Sequence, residues 1–153
     1  MMKKMYIMLF LGLALMTYAQ NMLSYRALMN KGVESETATK TLVANSQKAF
    51  EDTKKPIYQA FYAMGNLLLA KHTGNPVRQF SYFRKGKTSL DNAAKADPKN
   101  IEIRFLRYLT QLNAPSFLGY NKDLKADKTF ILNEYKKSDD EDLVRRIRQH
   151  FKI

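Results

Sequence analysis

Apolar residues recur every three or four positions along most of this chain, and no stretch alternates between apolar and polar residues as a strand would. This spacing is typical of amphipathic helices, whose apolar side chains share one face. Short links between such helices favour antiparallel packing of neighbours. We therefore predict an all-α fold of six or seven amphipathic helices in antiparallel hairpins, forming a stack or a compact bundle. The predicted helices cover about 21–31, 36–53, 56–71, 77–96, 101–112 and 122–136, and a last helix begins at 138.

Proline and capping residues mark the predicted helix ends. Pro56 suits the first turn of the third helix, and Pro115 ends the fifth. Ser138 and Glu141 have the spacing of a capping box at the start of the last helix. The core-facing residues expected in the fourth helix are Val77, Phe80, Phe83, Leu90 and Ala93.

The N-terminal segment has the layout of a secretory signal peptide. Two lysines precede an apolar run over 5–16, and small residues occupy the −3 and −1 positions of a cleavage site. A membrane-spanning helix needs about 20 apolar residues, so this run is too short to be one. We expect residues 1–19 to be removed and residues 20–153 to form a single helical domain. That domain would be periplasmic or extracellular, without a lipid anchor because the chain contains no cysteine.

The charge balance adds a class of partner to this picture. The chain has 26 basic and 14 acidic side chains, a formal net charge of +12, and losing the two lysines of the signal lowers it to +10. Such an excess permits contact with an anionic envelope polymer or a lipid head group. Nucleic acid is not expected as a partner, because the protein is predicted to be exported. Without disulfides, an exported domain must be stabilised by packing.

The sequence offers no motif for catalysis or for a metal. His72 and His150 lie far apart and outside any ligand spacing, and no glycine-rich phosphate loop occurs. Asp123 and Asp127, four residues apart, could act as paired carboxylates, but the surrounding lysines favour a solvated charged face. We therefore predict a non-enzymatic protein with no metal and no cofactor. A carboxylate-based enzyme is the least favoured alternative.

The most informative polar residues lie in the otherwise apolar fifth helix. Arg104 and Arg107 are three residues apart and therefore neighbours on one face. In one interpretation they pair with acids of an adjacent helix, as arginine forks commonly do. In the other they face a groove and hold a carboxylate or phosphate ligand, with Tyr120 lining the same region. Arg104, Arg107 and Tyr120 are thus the candidate ligand-binding residues.

Two segments carry a resemblance to a tetratricopeptide repeat. Residues 61–68 read FYAMGNLL and resemble its first helix, and Gly86, Leu90, Ala93 and Pro98 have the spacing of its second helix and closing proline. The small residues of this pattern let two helices approach closely. Because only one such unit is visible, the resemblance implies tetratricopeptide-like helical hairpins rather than a repeat array.

A second resemblance lies further along the chain. NIEIRFLR at 100–107, PSFLGY at 115–120 and Asp127 look like a family of uncharacterised exported bacterial proteins, over about 25–132. This likeness implies export and a helical fold. Helical hairpins often form concave grooves for peptides or proteins. The leading hypothesis is therefore a binding or scaffold protein of the cell envelope, and the alternative is a basic surface that binds an anionic polymer or lipid head group.

Overall fold

The computed structural model describes residues 17–18 and 20–153, and this part of the chain is all-α, without strands. The predicted signal peptide lies outside the described residues except for 17 and 18. Short 3-10 turns, Ser116–Leu118 and Tyr135–Lys137, flank the sixth helix. The helices are α1 (20–32), α2 (Glu36–Thr53), α3 (Pro56–His72), α4 (Pro76–Ala96), α5 (Ile101–Asn113), α6 (Leu124–Glu134) and α7 (Glu141–Phe151). None of these described helices is both long enough and apolar enough to span a bilayer.

Side-chain caps fix the starts of several helices. Ser35 accepts a hydrogen bond from the Ala38 amide at α2, and Asn100 accepts one from the Ile103 amide at α5. These bonds satisfy amide groups that have no partner inside the helix.

The predicted capping box at the last helix is wrong. The N-cap of α7 is Asp140, whose carboxylate accepts a hydrogen bond from the Leu143 amide at 2.9 Å. Ser138 instead accepts one from the Asp140 amide at 3.2 Å. Aspartate caps a helix as well as serine does, so α7 begins at Glu141 rather than at Ser138.

The first hydrophobic core is built from residues of all five helices from α1 through α5, with α3 packed between α2 and α4. Two glycines allow these helices to approach closely. A Cβ atom on Gly65 would lie 2.6 Å from a methyl group of Val43, and one on Gly86 would lie 2.9 Å from the carbonyl oxygen of Ala63. The two glycines of the predicted helix crossings therefore do face neighbouring helices.

A second core joins α5, α6 and α7. Phe105 and Tyr108 of α5 pack there, whereas Ile103 and Leu106 of the same helix belong to the first core. Helix α5 therefore contributes to both cores. The remaining buried members of the second core are Ile131, Tyr135, Leu143 and Ile147.

The core-facing prediction for α4 is wrong at Val77 and Phe80, whereas Phe83 is partly buried. Val77 is 79% exposed and Phe80 is 55% exposed, although both share a helical face with buried residues. All buried residues of α4 lie within 86–94, so neighbouring helices cover only that half. Apolar periodicity identified the face of α4 but not how far along the helix the covering elements extend.

Candidate functional site

Both candidate arginines of α5 point at one carboxylate of α6. Arg107 donates from Nε to Oδ2 of Asp127 at 2.7 Å and from Nη2 to Oδ1 at 2.8 Å, a bidentate pair. Arg104 forms an ion pair with the same carboxylate, and its guanidinium lies 4.6 Å from the centre of the Phe130 ring. The structure thus shows the arginines paired with an acid of an adjacent helix.

Neighbouring side chains complete this network. Gln111 donates to Asp127 Oδ2 at 3.2 Å and accepts from the Asp123 amide at 2.9 Å. Burial would lower the pKa of Arg107, but its hydrogen bond and ion pair with Asp127 raise it. Asp127 is fully buried, so the predicted solvated face is wrong at this position. Because its carboxylate is held by arginines inside the protein, it does not face a cleft together with Asp123.

The third candidate residue, Tyr120, is also buried and engaged. Its hydroxyl donates to Asp91 at 2.7 Å, and Lys87 pairs with the same carboxylate at 3.2 Å. The ring of Phe83 meets the Tyr120 ring edge-on, with centroids 6.2 Å apart. Burial and the Asp91 carboxylate raise the pKa of Tyr120, so the phenol stays protonated. Arg107 and Tyr120 thus donate their hydrogen bonds to carboxylates of the protein, and Arg104 donates one to the carbonyl oxygen of Pro98 at 3.1 Å.

A second buried ion network was not predicted. Arg26 of α1 binds Glu102 of α5 bidentately, at 2.6 Å and 2.7 Å. It also donates to Asp140 at 2.6 Å and 3.1 Å and to Asp142 at 3.1 Å. These bonds use all five N–H donors of the guanidinium. The available signal was the position of Arg26 on the apolar face of α1, between Met22 and Met29.

The charges of this network balance. Arg145 and Arg146 also pair with Asp142, so three cations face three carboxylates. Burial raises the pKa of Glu102 despite the opposing effect of Arg26. Burial alone would raise the pKa of Asp140 and of Asp142. Hydrogen bonds from arginines outweigh burial, so both pKa values are lowered.

An apolar groove lies between the N-terminal half of α4 and the 3-10 turn Ser116–Leu118. Its volume is about 400 Å³, and Phe83 and Leu118 form part of its wall. Phe117 at its edge is 85% exposed. Gly119 ends the turn with φ 61°, a conformation that favours glycine. The residues lining this apolar groove are Ala70, Lys71, Pro76, Gln79, Phe80, Phe83, Pro115, Phe117 and Leu118.

Both histidine rings contact other parts of the protein. His72 Nε2 lies 2.7 Å from the carbonyl oxygen of Gly32, and His150 packs against the rings of Phe105, Tyr108 and Phe151. Within 17–18 and 20–153, no group of three or more histidine, cysteine or acidic side chains is placed to hold a metal ion.

Comparison with known proteins adds no relative to this description. No protein-family model, no curated protein and no solved structure matches the chain. The two resemblances noted in the sequence therefore stay predictions.

Proposed function

We propose that the protein is a non-enzymatic binding or scaffold protein of the cell envelope, and that the apolar groove binds a segment of a partner protein. The observation that carries this proposal is the exposure of Phe80 and Phe117, two aromatic side chains that line one concave apolar surface. Large apolar side chains grouped on a surface mark interaction sites. Burying one such side chain contributes about 1.5–3 kcal/mol. An aliphatic or aromatic side chain of the partner would fill the groove.

The charge of Lys71, which lines the groove, and of helix α4, which forms one wall, indicates the flanking chemistry of that segment. Helix α4 carries five basic side chains against one acid, and Arg78, Arg84 and Lys85 are exposed. A segment with acidic residues beside its apolar anchor is therefore complementary. A second copy of this chain is not, because it would bring another basic α4 and, without the signal peptide, a formal net charge of +10 against the first.

The envelope location rests on the sequence of residues 1–19, with its basic start, apolar run and small residues at the cleavage position. N-terminal sequencing of the protein recovered from the envelope fraction would test it directly. We expect the recovered chain to begin at Gln20. An intact Met1 in cytosol would contradict the location but leave groove binding to be judged separately.

Selection of peptides from a display library against the purified protein tests the groove. We expect selected peptides to pair an aliphatic or aromatic anchor with neighbouring aspartate or glutamate. In calorimetric titration, the double variant Phe80→Ala, Phe117→Ala should bind these peptides at least about tenfold more weakly, because truncated anchors at the centre of an interface cost more than 1 kcal/mol each. Circular dichroism would verify that the helices are intact.

A matched control uses exposed apolar residues elsewhere. Leu23 and Val33 are 48% and 40% exposed, and the double variant Leu23→Ala, Val33→Ala should change peptide affinity less than about twofold. Equal weakening by both double variants, or selection of basic peptides, would contradict the proposal. A dimer in sedimentation that only the phenylalanine variant dissociates would replace the partner segment by a second copy.

A further inference from the structure

A basic groove lies at the opposite end of the chain from α1, between α7 and the 3-10 turn Tyr135–Lys137. Its volume is about 580 Å³. Among its lining residues, Glu141 is the one acid, facing four cations. The lining residues are Lys136, Ser138, Glu141, Val144, Arg145, Arg148, Gln149, Lys152 and Ile153.

The cationic side chains of the basic groove are only partly paired with acceptors of the protein itself. Arg145 pairs with Asp142, and Arg148 donates from Nε to the carbonyl oxygen of Ile153 at 3.3 Å. Lys136 lies over the Tyr135 ring at 5.9 Å, and neither it nor Lys152 forms an ion pair with any residue that the structure describes. These two amines are therefore available to an external anion.

Stabilisation of the helix end explains only part of this cluster. Cations in the last turn of a helix offset the partial negative charge of its unpaired carbonyl groups. Arg148 and Lys152 stand where that effect operates. Arg145 lies in the middle of α7, and Lys136 belongs to another element, so the helix dipole does not account for them.

The spacing along α7 indicates a long ligand. Arg145 and Arg148 are three residues apart on α7 and share a face, and Lys152, the C-cap residue that follows the helix, lines the same groove. At about 1.5 Å per residue, the first and last of them lie roughly 10 Å apart along the helix axis. A ligand that meets all of them needs anionic groups at several points along its length.

We propose that the basic groove binds a linear polymer whose phosphate or carboxylate groups repeat along the chain. Arginine forks and lysine amines bind both kinds of anion. No aromatic side chain lines the groove, so it lacks the stacking surface that single-stranded nucleic acid uses. Ile153 is the one large apolar side chain exposed there, which gives little to insert into a bilayer. The basic groove is separate from the apolar groove, and polymer binding there does not depend on a partner segment in the apolar groove.

Titration of the purified protein with fluorescently labelled polymers tests the inference. The probes are inorganic polyphosphate and poly-glutamate, with inorganic phosphate as the monomeric anion and phosphatidylcholine–phosphatidylglycerol vesicles as the membrane surface. We expect one or both polymers to bind more tightly than inorganic phosphate and than the vesicles. Affinity should fall on the order of tenfold when salt rises from about 50 to about 200 mM, because binding releases counterions.

Matched lysine variants locate the binding surface. The double variant Lys136→Gln, Lys152→Gln removes two charges that make no ion pair in the described structure. It should weaken polymer binding about tenfold. The control Lys40→Gln, Lys48→Gln removes the same charge from exposed positions of α2 and should change affinity less than about twofold.

Three results would overturn the inference. Equal weakening by both lysine pairs would show that net charge alone attracts the polymer. Stronger binding to the vesicles, lost in the Lys136 and Lys152 variant, would assign the groove to a membrane surface. Absence of binding to every probe at low salt would leave no anionic ligand for it. Since the Phe80 and Phe117 variant should retain polymer binding, failure of either surface is distinguishable from failure of the other.

Discussion

At the scale of single residues, the buried Arg26 and the partly buried Arg104 and Arg107 are paired with carboxylates of the protein. Arg26 is held by Glu102, Asp140 and Asp142, and Arg104 and Arg107 share Asp127. A charge removed from water costs several kcal/mol unless it is paired and hydrogen-bonded. A ligand bound by Arg107 would first have to displace its carboxylate. The arginines therefore orient helices, and surface cations are better placed to meet a partner.

Asp127→Asn should be strongly destabilising. The amide keeps the shape of the side chain but leaves the arginines of α5 without their buried counter-charge, which costs about 3–5 kcal/mol. Urea denaturation measures the loss. The control is Asp123→Asn, since Asp123 is 29% exposed and lies 3.6 Å from Arg107, and it should cost less than about 1 kcal/mol. An equally small loss of stability in both variants would show that water replaces the Asp127 carboxylate as the partner of the two arginines.

Asp142 should make the stability of the protein sensitive to acid. Its folded-state pKa is lowered from the ordinary 3.8, so the unfolded chain takes up a proton at a higher pH than the folded one. The stabilisation is complete above pH 3.8 and is lost as pH falls through the lower folded value. In Asp142→Asn, the free energy of unfolding should be lower near pH 5 and should fall less towards pH 3.

The buried Glu102 has the opposite effect on the free energy of unfolding. Its folded-state pKa is raised from 4.5, so Glu102 lowers stability as pH rises above that value. Glu102 is present in both proteins, so the difference between their urea unfolding curves reports Asp142 together with its coupling to Glu102 and Asp140 through Arg26. Asp139→Asn, at an exposed neighbouring position, serves as the control and should follow the wild type. Parallel pH profiles for wild type and Asp142→Asn would contradict the assignment.

At the scale of elements, α5 shows what periodicity can and cannot predict. Its bounds and its largely apolar character were predicted from the sequence, because both depend on local spacing. That this stripe divides between two cores was not predictable, since the division depends on which helices pack on each side. The pairing of Arg104 and Arg107 with an acid was one of two interpretations that the sequence left open, and the choice between them, like the identity of Asp127, required the fold. Arg26 was missed for the same reason.

Gly86→Ala should weaken the packing of α3 against α4. A Cβ atom there would lie 2.7 Å from Leu67 Cγ and 2.9 Å from the carbonyl oxygen of Ala63, and the backbone cannot yield as a flexible side chain can. Such overpacking costs about 1–3 kcal/mol. The same substitution at Gly74 meets no atom within 4 Å, so Gly74→Ala should be neutral or slightly stabilising. Thermal melts compare the two variants, and equal melting temperatures would disprove the close crossing.

At the scale of the whole molecule, the two proposed binding surfaces lie on different elements. The apolar groove is formed by α4 and the turn before α6, and the basic groove by α7 and the turn after α6. The protein could therefore hold a partner segment and an anionic polymer at the same time, as a scaffold in an envelope would. The excess of basic residues suits both proposed ligands, since it also favours an acidic partner beside α4.

The Arg26 network links the first helix to the last. Helix α1 belongs to the first core and α7 to the second, and α5 is the helix they share. Arg26 adds a direct connection, because Glu102 lies on α5 while Asp140 and Asp142 lie at the start of α7. We expect this connection to make the two cores unfold together.

Replacing Arg26 by methionine should separate the unfolding of the two cores. The change leaves three carboxylates without their common partner and should cost about 3–5 kcal/mol. Hydrogen exchange would locate the effect, because amides of α7 should lose protection well before those of α3, whereas wild type should expose both in one transition. Arg146→Met is the control, since Arg146 forms its one ion pair among residues 17–18 and 20–153 with Asp142 and is only partly buried. If α7 kept the protection of α3 in Arg26→Met, packing of Leu143 and Ile147 would suffice to hold it.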